Sequence, residues 1–551
     1  MTAVPDHAQP LPDLALAQAL AADLDAADFR SDPLRLLWGE EQDDALARGL
    51  REPILRAIDG QSGAAATLGR LFVLGMAQPR DAVQRALPRV GVDGLLALGL
   101  ATFERDESHD GDAGGVVVPK AIIRPQSFVD VDGVGEWWIA SDLDEVALGT
   151  ALPADHVLGV GGASRTLAEL VIPAPVERAL DLGTGCGIQA LLVSRHAQVV
   201  IATDISDRAL AYAELNAQLN GVRNIQFRAG SMFEPVVGEA FDLIVSNPPF
   251  VITPRATGMP EYEYRDGGLV GDALVEQFLR SAPAHLRPGG VAQLLANWES
   301  RGGAAGLDRV RSWVGEDLDV WVVQREELSP LAYAELWIRD GGTLPRDAGF
   351  TRLLTAWLDD FAARGVTAIG FGYILLRRPA YIPGADTPHV GPIRGERPAS
   401  GVSAPQAGGS ADQAVAPTGR LRRFETVSQP VSNLGRALGA GLAAHDALLG
   451  GIPDHLLIAA DVTEARHHLP GDGDPSVIEL RQGGGFARTI GVDSALAGFV
   501  GACDGELSVS QIVSALADLF EVPVADLWAD LEARIRRLML DGFLLPADDA
   551  E

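Results

Sequence analysis

Ser246-Asn247-Pro248-Pro249-Phe250 decides how the rest of the chain is read. The apolar run before it, Phe241-Asp242-Leu243-Ile244-Val245, has the composition of a strand buried in a parallel sheet. Proline donates no backbone hydrogen bond, so strand pairing stops at Pro248. The strand therefore gives way to a stiff loop at the carboxyl edge of the sheet, where open α/β folds put their ligands. The Asn247 amide oxygen and the Pro248 carbonyl can both accept hydrogen bonds, and Phe250 offers a flat face. Together they suit a planar –NH2 group held over an aromatic ring. The bland alternative is a plain loop with two prolines; the glycine turn upstream argues against it.

That turn closes the first strand, Ala179–Leu182, with Asp181-Leu182-Gly183-Thr184-Gly185-Cys186-Gly187, and a helix runs from Ile188 to Arg195. Glycines here let the backbone approach a ligand closely. The second strand, Val199–Thr203, ends in Asp204, 21 residues after Gly183. A carboxylate at that place can accept hydrogen bonds from both hydroxyls of a ribose. A helix over Ser206–Leu219, a short strand Ile225–Arg228 and the loop Gly230-Ser231-Met232-Phe233 come next. Further strands are expected at Gly290–Ala296, Val320–Val323 and Gly370–Leu376, the last reached through helices Pro330–Ile338 and Phe350–Ala363. The pattern implies an adenosine-type ligand without saying which. A dehydrogenase turn, Gly-x-Gly-x-x-Gly, would put glycine where Ile188 stands. With no hydride-handling site in view, a nicotinamide-dependent oxidoreductase is set aside.

Residues 176–380 resemble the class I S-adenosylmethionine-dependent methyltransferases of the subgroup bearing (Asn/Asp)-Pro-Pro-(Tyr/Phe). That subgroup includes adenine-N6 DNA methylases, guanine-N2 ribosomal RNA methylases and the HemK/PrmC glutamine methylases of release factors. The resemblance implies a Rossmann-like α/β core with a seven-stranded, mostly parallel sheet and helices on both faces. It implies that Asp181, Gly183 and Gly185 border the methionine half of S-adenosylmethionine, that Asp204 holds the ribose, and that Ser231 and Met232 flank the adenine. Asn247, Pro248 and Phe250 would then hold the acceptor nitrogen beside the cofactor, with Asn247 also bordering the cofactor itself. Asn247–Pro254 and Arg265-Asp266-Gly267-Gly268 are similar to the release-factor branch. The implied activity is N-methylation of a macromolecular acceptor, either a protein glutamine or a nucleic-acid base, RNA before DNA, with no metal and no membrane. A second reading is a cofactor-binding scaffold acting through its flanking domains.

Composition bounds these readings. The chain has 551 residues and a formal charge of -31, which argues against nonspecific grip on nucleic acid. Two cysteines, Cys186 and Cys503, make neither a disulfide framework nor a four-cysteine zinc site. No signal segment and no uncharged apolar run of membrane length is visible, so a cytoplasmic protein is expected.

Five domains are expected along the chain. Residues 1–64 form a helical segment, with helices over Leu14–Phe29 and Glu40–Ile58. Residues 65–140 form a winged-helix-like module: helices Leu68–Leu74, Arg80–Leu87 and Val92–Leu100, then the polar loop Glu107–Gly115 and a hairpin from Val116-Val117-Val118 to Ile122-Ile123. Such modules can bind nucleic acid, but the last helix is hardly basic, and scaffolding or protein contact is favoured. Residues 141–380 are the methyltransferase domain, entered through the glycine-rich His156–Thr166, a lid or a connector. Residues 381–425 are a flexible linker in which Arg394, Arg397, Arg420, Arg422 and Arg423 are read as solvated. Residues 426–551 form a winged-helix-like C-terminal domain with helices Ser508–Phe520 and Val524–Leu540, and His467 and His468 on its surface.

Overall fold

A computed structural model describes residues 9–105, 115–130, 133–148, 152–255, 265–380, 412–413, 419–427 and 434–547. Seven strands form the frame of the site: β1 (Val176–Leu182), β2 (Ala197–Asp204), β3 (Ile225–Ala229), β4 (Phe241–Ser246), β5 (Leu286–Arg301), β6 (Asp319–Leu328) and β7 (Val366–Arg377). Their order in the sheet is β6-β7-β5-β4-β1-β2-β3. β1 to β5 pair in parallel, and β7 runs antiparallel to both β5 and β6. This is the expected class I Rossmann-like sheet. The chain winds outward from β1 to β3 and returns to β4 on the other side of β1, which opens a crevice beyond the strand ends at that switch.

Seven helices accompany the sheet: α1 (Gly162–Leu170), α2 (Ile188–Val193), α3 (Asp207–Leu219), α4 (Ala273–Ser281), α5 (Gly306–Trp313), α6 (Pro330–Asp340) and α7 (Phe350–Ala363). The apolar sides of α2 and α3, through Ile188, Leu191, Tyr212 and Leu215, share one core with the N-terminal helices. Val275, Phe278, Val310 and Trp313 of α4 and α5 pack with Leu180 and Ile244 of the sheet in another. The α6–α7 pair packs Tyr333, Trp357 and Phe361 on Val251 and Ile252, just past the diproline.

The sheet is longer than expected. Arg422–Thr426 lies next to β6, and Asp412–Gln413 beyond it, giving nine strands. The reading of this end of 381–425 as solvated linker is corrected: Arg423 is 4% exposed, and its guanidinium lies 4.5 Å from the Trp321 ring. Glu425 accepts the Trp321 indole N–H at 2.7 Å. Arg394 and Arg397 lie outside the described residues, as do positions 107–114 of the polar loop.

The N-terminal region also departs from expectation in places. The Leu14 helix ends at Ala26, and Glu40–Ile58 divides into Glu40–Ala47 and Glu52–Ala57. The break falls at Gly49, whose φ of +81° suits glycine. Gly69–Val73 is a π-helical turn. The expected hairpin at 116–123 does not exist. Gly115–Pro119 pairs with Ala101–Arg105, while Ala121–Asp130 pairs with Gly133–Asp142 in a separate two-stranded ribbon. Gln78–Pro79 adds a third strand beside Gly115–Pro119, so helices Arg80–Ala86 and Gly91–Ala97 sit with a small three-stranded sheet.

The chain divides into two compact units: Met1–Ala168, Ala174–Asp412 and Arg423–Glu425 make the first, and Glu169–Pro173, Gln413–Arg422 and Thr426–Glu551 the second. The second contains two three-stranded sheets and the helices Leu434–Leu449, Ser494–Gly501, Val509–Phe520 and Val524–Leu540. Ser508 and Gln511 close a capping box at the start of Val509–Phe520. His467 is an exposed strand residue, with Nε2 3.4 Å from Glu479.

Candidate active site

Leu182 and Ser246 are register partners on adjacent parallel strands, so the glycine turn after β1 and the diproline loop after β4 leave the sheet side by side. The Ser246 hydroxyl donates to the Leu182 carbonyl at 2.7 Å and ties the two exits together. Between them and the end of β2 opens a cavity of about 700 Å³. Its wall includes Gly183, Gly185, Asp204, Ser231, Met232, Asn247, Pro248 and Phe250, which the sequence marks out in four separate segments.

The turn is shaped for close approach. Gly183 and Gly185 have φ of +76° and +55°, and a Cβ on either would meet nothing within 4 Å. Their exposed backbone faces open space that a ligand can fill. Gly187 differs: its Cβ would stand 3.0 Å from Ala213 Cα, so it is the glycine that lets the turn pack on α3. The Gly183 and Thr184 N–H groups both donate to the Thr203 carbonyl at 2.9 Å, which locks the turn to β2.

Asp204 lies at the end of β2. Its carboxylate accepts the Gly185 N–H at 2.9 Å and the Ser206 N–H at 3.0 Å. Burial raises its pKa, against the pull of these backbone donors. Met232 sits at φ +50°, a left-handed conformation that is costly for a side-chain-bearing residue and that presents it to the cavity.

Asp181 stands apart from the other expected site residues. Asp181 is 0% exposed and stands behind the wall. Its Oδ2 accepts the Thr184 hydroxyl at 2.6 Å and the Ala190 N–H at 2.9 Å, so it braces the turn and the start of α2. Burial pushes its pKa up to about 7. Cys186, also buried in the turn, has a thiol pushed up to about 11 and is not poised as a nucleophile.

The diproline loop is braced from behind. The Tyr333 hydroxyl of α6 accepts the Ile252 N–H at 2.9 Å and the Asn297 amide N–H at 2.9 Å. Val251 N–H donates to the Arg265 carbonyl at 2.9 Å, and Asp266 pairs with Arg255 and Thr253. The loop is therefore fixed on both sides of Asn247–Phe250. Asn247 is part of the cavity wall, and its Oδ1 is buried with no hydrogen-bond partner. A buried unpaired acceptor is costly, and it fits a site whose donor arrives with a ligand.

Ile205, Leu274 and Trp337, all in the wall, carry no sequence signal. Ile205 is 70% exposed beside Asp204 and gives the cavity an apolar side; His156, Gly159, Leu274 and Trp337 complete other parts. Burial lowers the His156 pKa, so it stands neutral at pH 7. The segment 155–164 lines the cavity, so it is a wall and not merely a connector. Among the described residues no three His, Cys, Asp or Glu side chains form a metal-binding group, and no helix is long and apolar enough to cross a membrane.

Residues 159–309 match the methyltransferase small domain, and residues 26–111 match a domain of unknown function. The release factor glutamine methyltransferase of Xylella fastidiosa is 42% identical over 132 residues, 22% of this chain and 48% of that protein. The ribosomal protein uL3 glutamine methyltransferase of Bradyrhizobium diazoefficiens is 38% identical over 128 residues, 21% of this chain and 40% of that protein. The chain thus spans about half the length or less of these curated relatives. Among solved structures, a 16S rRNA N2 methyltransferase of T. Thermophilus is 19% identical, covering 44% of this chain and 60% of that one at a TM-score of 0.25, a likeness too slight to carry an argument.

Proposed function

We propose that the protein, whose residues 159–309 match the methyltransferase small domain, is an S-adenosylmethionine-dependent N-methyltransferase whose acceptor is a protein glutamine. The observation that carries this reading is the buried, unpartnered Oδ1 of Asn247, a residue of the cavity wall. The residues suit the cofactor: an open glycine turn for a polar tail, an acid for ribose hydroxyls, and Ile205 and Met232 for a flat apolar ring. Bound there, S-adenosylmethionine supplies a methyl group already activated by its sulfonium charge.

An amide nitrogen is a poor nucleophile because its lone pair is delocalised. Asn247 Oδ1 accepts one of its N–H groups and the Pro248 carbonyl the other. Two acceptors on one –NH2 orient the lone pair toward the methyl group and favour a pyramidal nitrogen. Phe250 stacks on the planar group. Orientation supplies a large part of the rate, and the two hydrogen bonds add more as they strengthen on a nitrogen becoming cationic. The proton is lost after transfer, when the nitrogen has become acidic, so no strong base is required at the site. Asp181 holds the turn from behind, through Thr184 and Ala190.

The glutamine assignment is supported by the names of the two curated relatives. The formal charge of -31 disfavours a polyanionic acceptor. The test is incubation of purified protein with methyl-labelled cofactor and an extract, followed by separate protease and nuclease digestion. Protease-sensitive label on glutamine is expected. Label lost to nuclease would make an RNA base the acceptor. No transfer to either, with cofactor still bound, would leave a scaffold.

A further inference from the structure

We propose that Asp142 is a positioning residue that sets the cofactor wall by tying the segment 155–164 to helix α3. The proposal rests on the methyltransferase reading above and extends it to the N-terminal region. Asp142 ends the ribbon strand Gly133–Asp142 and is 8% exposed. It does not line the cavity, so it touches neither reactant.

Its carboxylate has two sets of partners. On one side, Oδ2 accepts the Val157 N–H at 2.9 Å, and the Asp142 N–H donates to the Val157 carbonyl at 3.2 Å. On the other, Oδ2 accepts Arg208 Nε at 3.0 Å and Oδ1 accepts the Tyr212 hydroxyl at 2.8 Å. Burial works against the charge, yet Arg208, the Val157 N–H and Tyr212 hold the carboxyl below the ordinary range. Arg208 and Tyr212 lie on α3, which begins just past Asp204, with Ser206 as its cap.

The segment before α1 has no regular structure between 152 and 161, so individual bonds fix its place. It also rests tightly on the ribbon: a Cβ on Gly159 would stand 2.9 Å from Ser141 Oγ. One buried carboxylate therefore sets the distance between two faces of the cavity, the 155–164 wall and the Asp204–Ser206 wall. Without it the Arg208 guanidinium loses a buried carboxylate, and the Val157 N–H loses its acceptor, so only the bond from the Asp142 N–H to the Val157 carbonyl holds the segment there. The methyl-transfer chemistry is untouched.

The test is calorimetric titration of the full-length protein with S-adenosylhomocysteine, with the melting temperature of each variant recorded. Asp142→Ala is expected to raise Kd about tenfold or more. Asp142→Asn, whose amide oxygen can still accept from Val157, recovers part of that loss. In methyl transfer, KM for the cofactor rises while kcat at saturation stays within about twofold. Asp23→Asn is the control. Asp23 accepts the Arg89 and Val90 N–H groups at 2.8 and 2.9 Å in the N-terminal helices, and its loss lowers the melting temperature without changing Kd. Should Asp142→Ala not fold, Tyr212→Phe and Asp142→Asn carry the comparison. A folded Asp142 variant with wild-type Kd overturns the proposal, and so does an equal loss of affinity in Asp23→Asn. A wild-type protein that binds no S-adenosylhomocysteine overturns the methyltransferase reading beneath it.

Discussion

Asp204 at the end of β2 accepts the backbone N–H of Gly185, in the turn after β1, at 2.9 Å. The acid expected to hold a ribose also holds the glycine turn in the free protein. Its two tasks are compatible, because a carboxylate has about four lone-pair directions and two are used by Gly185 and Ser206. Asp204→Ala removes both the turn's brace and the ribose acceptor. Cofactor affinity should fall at least tenfold by calorimetry, the scale of losing one or two charge-assisted hydrogen bonds. An Asp204→Ala protein that binds as tightly as wild type would remove this residue from the cofactor site.

Asp181 gives a pH signature. Burial raises its pKa from 3.8 to about 7 in the folded chain. A raised folded value means that the folded state binds more protons between pH 4 and 7, so its contribution to stability is full below about pH 4 and is lost as pH rises through about 7. An asparagine keeps an acceptor for Thr184 and Ala190 without that charge. Asp181→Asn should therefore gain melting temperature over wild type at pH 8, with the gain shrinking by pH 5. A constant difference across that range would show that the side chain does not titrate in the window.

Asn216 joins the N-terminal ribbon to the turn. It is 0% exposed; its Oδ1 accepts Ala140 N–H at 2.7 Å, and its Nδ2 donates to the carbonyls of Ala140 and Cys186 at 2.9 and 2.8 Å. Asn216→Ala strands three buried backbone groups at about 1–3 kcal/mol each. We expect a loss of about 3 kcal/mol or more in denaturant unfolding of the first unit, with weakened cofactor binding. A loss below about 1 kcal/mol would mean that water replaces the amide.

Phe250 lines the cavity wall beside the diproline, where the proposed reading has the acceptor amide stack. Phe250→Ala should raise the acceptor KM and lower kcat by about tenfold or more, as expected when a flat group loses its stacking face. Cofactor Kd should stay within about twofold. A selective loss of cofactor binding would place the ring on the wrong half of the cavity.

The legible parts of this chain share a physical reason. β1, β2 and β4 are buried on both faces, so they appear as apolar runs, and the residues that end them are glycines, prolines and acids with few structural alternatives. That is why Gly183, Gly185, Asp204 and Asn247 stand out in the sequence alone. Asp142, Asn216 and Ile205 do not, because their roles arise from contacts between segments far apart in sequence, and a lone Asp, Asn or Ile carries no local pattern. Asp181 is legible as part of the turn, but its burial behind the wall depends on how the turn folds over it. The strand Arg422–Thr426 is hidden by its Pro- and Gly-rich surroundings and by two arginines, one of which, Arg423, is neutralised by Glu425 and covered by Trp321. The false hairpin at 116–123 comes from two β-rich pieces that Lys120 separates into different sheets.

The measurement closest to the central claim compares single-turnover methyl transfer by wild type and Asn247→Ala at saturating S-adenosylmethionine, with cofactor Kd determined on the same preparations. A lost transition-state hydrogen bond on this scale costs about a hundredfold in rate or more. We predict that drop with Kd held within about threefold. Transfer by Asn247→Ala at the wild-type rate would contradict the account.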